Sequence, residues 1–260
     1  MIVEVENLCI KAGKKKIVDN VCLNAAEGER VGLIGVSGSG KSMICKALTG
    51  LLPPGTSAEG TVRLGGKNIV GEKDSQIAKL RGRYAGMILQ NNVSALNPVK
   101  NIGENVSMPL KNHFRLSSQN IRKRVAEALE SVGLESETAF AYPHELSGGQ
   151  AQRAGIAAAV ISKPKLIIAD EPTASLDAVT GKKILDLLVS AVDGYGGTLM
   201  FVSHDFSQIR RVAKRCYVVE DGKIAEENDT EKLFESPCSE AAKSLIYAAK
   251  CLHISREDKF

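Results

Sequence analysis

The sequence predicts an α/β domain built around a mostly parallel β-sheet, and three features of the 260-residue chain predict it. Short apolar runs alternate with segments of helical composition, which is typical of buried parallel strands joined by helices. The apolar run at residues 31–35 leads into a glycine-rich loop and then into a helix at residues 41–52, which Pro53 and Pro54 are expected to end. Between residues 91 and 146 strand-like runs disappear, which predicts an inserted helical subdomain.

The remaining elements follow from local patterns. Residues 1–6 alternate apolar and acidic side chains, as a strand does, and apolar runs predict further strands at residues 85–89, 165–170 and 198–202. Within the insertion, apolar residues recur at helical spacing at Ile121, Val125, Leu129 and Val132. Asp221-Gly222 is a hairpin-turn signal before a strand at residues 223–227, and helices are expected from there to residue 260.

Composition excludes several classes of function. The chain carries 34 Lys+Arg against 30 Asp+Glu, and the net charge of +4 is too small to indicate a nucleic-acid-binding protein. The longest nearly continuous apolar stretch, residues 155–161, is far shorter than the roughly 20 residues of a membrane-spanning helix. The N-terminus lacks the basic start and apolar run of a signal peptide, so a cytoplasmic protein is expected. The six cysteines form no C-x-x-C pair, which argues against a disulfide framework or a zinc site.

The loop at residues 35–42 reads Gly-Val-Ser-Gly-Ser-Gly-Lys-Ser and fits the phosphate-binding pattern G-x-x-x-x-G-K-[ST] between a strand and a helix. Glycines let backbone N–H groups turn towards phosphate oxygens, and the helix N-terminus adds positive potential. Lys41 is expected to reach the β- and γ-phosphates, and the Ser42 hydroxyl to ligate Mg²⁺. The residues expected to bind ATP are Gly35, Ser37, Gly38, Ser39, Gly40, Lys41 and Ser42.

Two acidic residues follow the apolar strand at residues 165–170. Asp170 is expected to hold Mg²⁺ directly or through water, and Glu171 to orient and polarise the attacking water. A strand that ends in Asp-Glu is a weak signal alone, because acidic residues are common at strand ends. The phosphate loop upstream makes this pair informative.

A second helix start suited to anions lies at Leu146-Ser147-Gly148-Gly149-Gln150, before a helix of small residues. The chain has two such helix starts but one lysine loop. This suggests that the second one serves a nucleotide held by another subunit.

These motifs, with Ser175-Leu176-Asp177 and Ser203-His204-Asp205, occur in the order found in ATP-binding subunits of ABC transporters, and the resemblance covers nearly the whole chain. It implies a P-loop ATPase domain with a RecA-like core and an antiparallel β patch. The core would comprise residues 1–90 and 147–227, with a helical insertion at residues 91–146 and a helical cap at residues 228–260.

The resemblance also implies roles for single residues. Gln90 would contact Mg²⁺ together with Ser42 and Asp170, and would relay to the membrane subunit. His204 would touch the γ-phosphate, so that Glu171, His204 and Gln90 form the catalytic set. Asp177 would lie at the interface of a head-to-tail dimer. The residues that would contact the ATP of the opposite subunit are Ser147, Gly148, Gly149 and Gln150.

The chain departs from the family pattern at the residue that would stack on the adenine base of ATP. The family usually stacks adenine on an aromatic residue near the end of the first strand, where this chain offers Lys11 or Ala12. We therefore expect phosphate and Mg²⁺ contacts to supply most of the affinity, and an affinity for ATP far above that for GTP would contradict this.

The stretch Asn92-Val-Ser-Ala-Leu-Asn-Pro98, followed by Ile102-Gly103, resembles ATPases of peptide and nickel importers. The alternative is that Leu-Asn-Pro is simply a turn before a helix. The short C-terminal part favours nickel or a metal chelate as the cargo, and a di- or oligopeptide is the alternative. The motor subunit does not touch cargo, so its residues indicate cargo only through shared ancestry.

The implied partners are two transmembrane permease subunits, a second ATPase subunit that is a paralogue or a second copy, and, indirectly, an extracytoplasmic solute-binding protein. The implied location is the cytoplasmic face of the membrane. Two other classes stay open: a soluble ABC ATPase acting in DNA repair or translation, and a regulatory ATP-binding module without turnover. The first class usually carries two cassettes in one chain, a coiled coil or zinc modules, and this sequence shows none of these features. Glu171 and His204 argue against the second class.

Overall fold

A computed structural model describes residues 1–90, 95–174 and 176–257, with side chains described to residue 250. The chain forms two compact units, residues 1–74 with 200–260, and residues 75–199. The strands are β1 (Val3–Ala12), β2 (Lys15–Ala25), β3 (Arg30–Ile34), β4 (Thr56–Leu64), β5 (Lys67–Asn68), β6 (Ala85–Ile88), β7 (Leu166–Asp170), β8 (Thr198–Ser203), β9 (Arg215–Glu220) and β10 (Lys223–Asp229). The helices are α1 (Lys41–Thr49), α2 (Asp74–Ile77), α3 (Ile102–His113), α4 (Ser118–Ser131), α5 (Gly148–Val160), α6 (Ala178–Asp193), α7 (Phe206–Val212), α8 (Thr230–Glu235) and α9 (Glu240–Glu257).

The first unit contains an antiparallel sheet in the order β2-β1-β4-β5. It also contains the neighbouring strands β10, β9 and β3, of which β9 and β3 run parallel and β10 and β9 antiparallel. Strand β3 is buried from Val31 to Ile34, which places the loop that follows it on a rigid support.

The second unit pairs β6 and β7 in parallel, with Ala85 opposite Leu166 and Ile88 opposite Ala169. All five residues of β7 are buried, so the strand holds its C-terminal end firmly in the core. Between residues 95 and 146 the structure has helices and turns and no strand, including the 3-10 turns Ser136–Phe140 and Pro143–Glu145.

The predicted α/β fold is confirmed, with both an antiparallel sheet and parallel strand pairs. Helix α1 ends at Thr49, earlier than the predicted residue 52, because Gly50 adopts a left-handed conformation with a φ of 63°. The Leu51 N–H then donates to the Lys46 carbonyl oxygen, which closes the helix before the prolines are reached. Among the described helices, none is both long and apolar enough to cross a membrane.

Candidate functional site

The phosphate-loop motif lies in the first unit, between the end of β3 and the start of α1. Gly38 and Gly40 have φ values of 82° and 105°, a region that side chains other than glycine rarely adopt. The N-cap residue of α1 is Gly40, which has no side chain that could cap the helix. By contrast, a side chain caps each of α3 to α8; these caps are Asn101, Ser117, Ser147, Asp177, Asp205 and Asp229. The start of α1 is thus suited to an anion, because a phosphate can accept from its N–H groups as a capping side chain would.

Lys41 brings a positive charge into this loop. Its side chain is only 5% exposed, and Nζ donates to the carbonyl oxygens of Gly35 and Val36, both at 2.8 Å. The hydroxyl oxygen of Ser39 lies 3.4 Å from the same nitrogen. The ammonium group is therefore held at the centre of the loop, where it can meet phosphate oxygens.

The turn between β9 and β10 supports the phosphate loop. The Gly222 N–H donates to the Ser39 carbonyl oxygen at 3.0 Å, and the Asp19 N–H donates to the Gly222 carbonyl oxygen at 2.8 Å. Gly222 has a φ of 76°, and a Cβ atom there would collide with the carbonyl oxygen of Ile17. This turn therefore joins β2 to the phosphate loop through one residue that has to be glycine.

Replacing Gly222 with alanine should weaken nucleotide binding roughly tenfold, because the displaced turn loosens the Ser39 backbone. The measurement is calorimetric titration with a non-hydrolysable ATP analogue. Gly66→Ala is the matched control, since Gly66 has a φ of 81° and no atom within 4 Å of a Cβ placed there. Equal affinities of the two variants would contradict the supporting role of Gly222.

His204 lies directly after β8 and is exposed. Its neighbours are fastened: the Asp205 N–H donates to the Ser203 hydroxyl at 3.0 Å, and Asp205 caps α7 by accepting from the Ser207 N–H at 2.8 Å. The imidazole thus projects from a short segment whose backbone is held on both sides.

In the second unit, Asp170 and Glu171 stand at the end of β7, as predicted. Asp170 is buried, and Glu171 follows it with a φ of 47°. A left-handed conformation costs about 1 kcal/mol for a residue with a Cβ atom, and such strain occurs mostly at functional sites. Gln90 Nε2 donates to Glu171 Oε2 at 3.3 Å, so two residues far apart in sequence are brought together.

The Ser147 motif starts α5. The Ser147 hydroxyl accepts from the Gln150 N–H at 3.3 Å, and Gln150 Oε1 accepts from the Ser147 N–H at 2.9 Å. The two side chains thus form a capping box at the start of α5. Within the part of the chain that the structure describes, packing requires neither glycine: a Cβ atom at Gly148 would meet nothing within 4 Å, and one at Gly149 only Thr180 Cγ2 at 3.7 Å.

Asp177 caps α6 by accepting from the N–H groups of Val179 and Thr180, both at 3.0 Å. These hydrogen bonds, that from Thr180 foremost, hold the pKa of the Asp177 carboxyl below its usual value. Ser175 of the same motif lies outside the described residues, as do Asn92, Val93 and Ser94 of the predicted importer motif.

Near the end of β1, where an aromatic residue would stack on adenine, Lys11 Nζ forms an ion pair with Glu59 Oε1 at 3.0 Å. Strands β1 and β2 contain no aromatic residue, and Ala12 lies opposite Lys15 at their hairpin. The expected weak base stacking therefore stays a prediction.

Sequence reasoning missed two buried carboxamides. Asn105 in α3 accepts from the Asn97 N–H at 2.7 Å and donates to the Lys100 carbonyl oxygen at 3.0 Å, which fastens the Leu-Asn-Pro turn to the helix. Gln152 in α5 donates to the carbonyl oxygen of Pro172. A polar residue on the apolar face of a predicted helix is a signal that could have revealed Gln152.

The donor atoms at the predicted metal positions are a hydroxyl of Ser42, a carboxylate of Asp170 and a carboxamide of Gln90. Such hard oxygen ligands fit Mg²⁺, which keeps several waters and needs few protein ligands. Among the described residues, no group of three or more His, Cys, Asp or Glu side chains is arranged to hold a metal ion.

Comparisons with known proteins extend this picture. A family model described as ABC transporter matches residues 18–174. The metal-staphylopine import system ATP-binding protein CntD of Staphylococcus aureus is 33% identical over 249 residues, covering 93% of this chain and 92% of that protein. The nickel import ATP-binding protein NikD of Pseudomonas putida is 35% identical over 254 residues, covering 96% of each. The oligopeptide transport ATP-binding protein OppD of Bacillus subtilis is 32% identical over 266 residues, covering 99% of this chain and 74% of that protein.

A solved structure shares the fold. The dimeric post-hydrolysis state of the ATP-binding cassette MJ0796, bound to ADP and Pi, matches with a TM-score of 0.78 at 34% identity. The match covers 88% of this chain and 98% of that chain, so it includes both compact units.

Proposed function

Since the chain belongs to the ABC transporter family of ATP-hydrolysing cassettes, we propose that it is the motor subunit of a membrane importer. The observation that carries the proposal is the hydrogen bond between Gln90 and Glu171, in a chain that also has a glycine-rich loop around Lys41. The hydrogen bond between Gln90 and Glu171 orients a carboxylate at the end of a buried strand. The loop around Lys41 supplies a positive charge and a helix N-terminus that can bind phosphates.

In this proposal the loop N–H groups and Lys41 bind the phosphates of ATP. Glu171 accepts a proton from the attacking water, and Gln90 holds the Glu171 carboxylate in place for that task. His204 donates a hydrogen bond to the γ-phosphate.

Mg²⁺ would be held by Ser42, Asp170 and Gln90, and when bound it neutralises the charge that develops on the phosphate oxygens. The burial of Asp170 supports this role, because a buried carboxylate is stabilised by a cation.

The working form would be a head-to-tail dimer, in which the start of α5 in one subunit contacts the ATP of the other. The glycines at 148 and 149 support this. Glycine is a poorer helix former than alanine, and no packing among the described residues requires it at either position. A second molecule that approaches the backbone closely would require it. Asp177, Ser147 and Gln150 would lie at the same interface.

The permease would dock on the helical insertion. A groove of about 630 Å³ lies there, lined by α3, α4 and the turn Ser136–Phe140. Phe140, one of the residues that line it, is 79% exposed. An exposed aromatic side chain at a groove fits an amphipathic helix of a permease, which buries it on docking.

Replacing Phe140 with aspartate should lower transport about tenfold or more, since a charge would be buried in the docked interface. ATP hydrolysis by the isolated subunit should stay within about twofold of wild type. Uptake in cells and ATPase assays on the purified subunit measure both. Tyr247→Asp is the control, because Tyr247 is 73% exposed and is not among the residues that line the groove. Unchanged transport by Phe140→Asp would rule out this docking surface.

For the cargo we propose nickel or a metal chelate, and a di- or oligopeptide is the second candidate. The relatives named for nickel and metal-staphylopine import support the first, and each matches over nearly its whole length. The relative named for oligopeptide transport supports the second at similar identity.

Uptake measurements test the proposed function. Cells that carry wild-type protein or Lys41→Ala would be compared for uptake of radioactive nickel, with and without chelators, and of labelled di- and oligopeptides. A defect in nickel uptake alone supports the metal cargo. A defect in peptide uptake alone replaces that cargo and keeps the motor role. A variant that loses neither would contradict both proposed cargoes. Copurification with nucleic acid or ribosomes instead of membrane subunits would contradict the importer assignment.

A further inference from the structure

The side chain of Gln152 makes a buried hydrogen bond beside the proposed catalytic base. It is 2% exposed, and its Nε2 donates to the carbonyl oxygen of Pro172 at 2.5 Å. Gly155 and Ile156, which lie on the same face one turn further along α5, are buried as well. A buried carboxamide in such surroundings is costly unless it is hydrogen-bonded, so the bond to Pro172 sets the conformation of this side chain.

The acceptor belongs to the residue directly after Glu171. Glu171 has a φ of 47°, and the Ala174 N–H donates to the Glu171 carbonyl oxygen at 3.2 Å, which closes a tight turn. A left-handed glutamate persists only where its surroundings hold it. Gln90 holds the side chain of Glu171, and Gln152 holds the backbone on its C-terminal side.

We propose that Gln152 is a positioning residue that fixes the turn carrying Glu171 and so aligns the Glu171 carboxylate with the attacking water. This proposal rests on the proposed role of Glu171 as the base. Gln152 lies in α5, the helix that starts at the Ser147 capping box. The same bond therefore ties the catalytic carboxylate to the helix that would contact the opposite nucleotide.

The test is a double-mutant cycle in the full-length protein. Gln152→Met keeps a side chain of similar length without a donor, so the packing survives and the hydrogen bond is lost. It should lower kcat about 10- to 100-fold and change KM for ATP less than about threefold, because alignment is lost and phosphate binding is kept. In the Glu171→Gln background, Gln152→Met should change the residual turnover less than about twofold, because no carboxylate remains to be aligned.

Val160→Ala is the control for general loosening of the helix. Val160 is buried in the last turn of α5, about two turns beyond Gln152. Thermal unfolding places the variants on one stability scale. The proposal is overturned if Gln152→Met lowers kcat no more than Val160→Ala does, or if it lowers turnover by the same factor in both backgrounds. If Glu171→Gln itself keeps wild-type turnover, the proposed role of Glu171 as the base fails. The single variant shows this, so that failure is distinguishable from a failure of the proposal on Gln152.

Discussion

Lys41→Ala is expected to weaken MgATP binding at least about 100-fold, which corresponds to roughly 2.7 kcal/mol. Lys41 is the charged group at the centre of the phosphate loop, with Nζ 2.8 Å from the carbonyl oxygens of Gly35 and Val36. An ammonium that meets phosphate oxygens in a partly buried loop forms strong, charge-assisted hydrogen bonds. Alanine supplies neither the charge nor the donors. Equilibrium titration with a fluorescent ATP analogue measures the loss.

The control for this variant is Lys46→Ala. Lys46 lies in the last turn of the same helix, so its removal takes away the same charge without touching the loop. This control should bind MgATP with nearly wild-type affinity and unfold at nearly the wild-type temperature. If Lys41→Ala kept its affinity for MgATP, the phosphate loop would not be the nucleotide site.

Glu171→Gln is expected to bind ATP normally, to hydrolyse it about 100- to 10,000-fold more slowly and to accumulate as a dimer. The first part follows because the substitution leaves the phosphate loop unchanged. The second follows because removing a general base costs a factor of this size. The third follows because ATP that is not cleaved keeps holding both subunits together. Steady-state phosphate release measures the second effect, and size-exclusion chromatography with ATP measures the third.

Glu130→Gln serves as the matched control for this substitution. Glu130 is an exposed acid near the end of α4, with the same change of charge and no role in the proposed chemistry. It should hydrolyse ATP at the wild-type rate and stay monomeric to the same extent as wild type. Wild-type turnover in Glu171→Gln would show that another group accepts the proton.

Features that depend only on residues close together in the sequence were predictable. The glycines before Lys41 permit the left-handed backbone of the loop, and the apolar run before Asp170 forms the buried strand β7. Helix α1 shows the limit of such reasoning. The prolines at 53 and 54 were expected to end it, but Gly50 ends it first, because a left-handed glycine satisfies the last carbonyls of the helix.

The sequence by itself determined the α/β fold, the phosphate loop and the acidic strand end, since each depends on residues that are close together in the chain. Only the tertiary structure decided which distant residues meet. Gln90 reaches Glu171 across 81 positions, and the Gly222 turn meets Ser39 across 183 positions. The left-handed backbone of Glu171 belongs to the same class. No local propensity favours it, and contacts made after the chain has folded stabilise it.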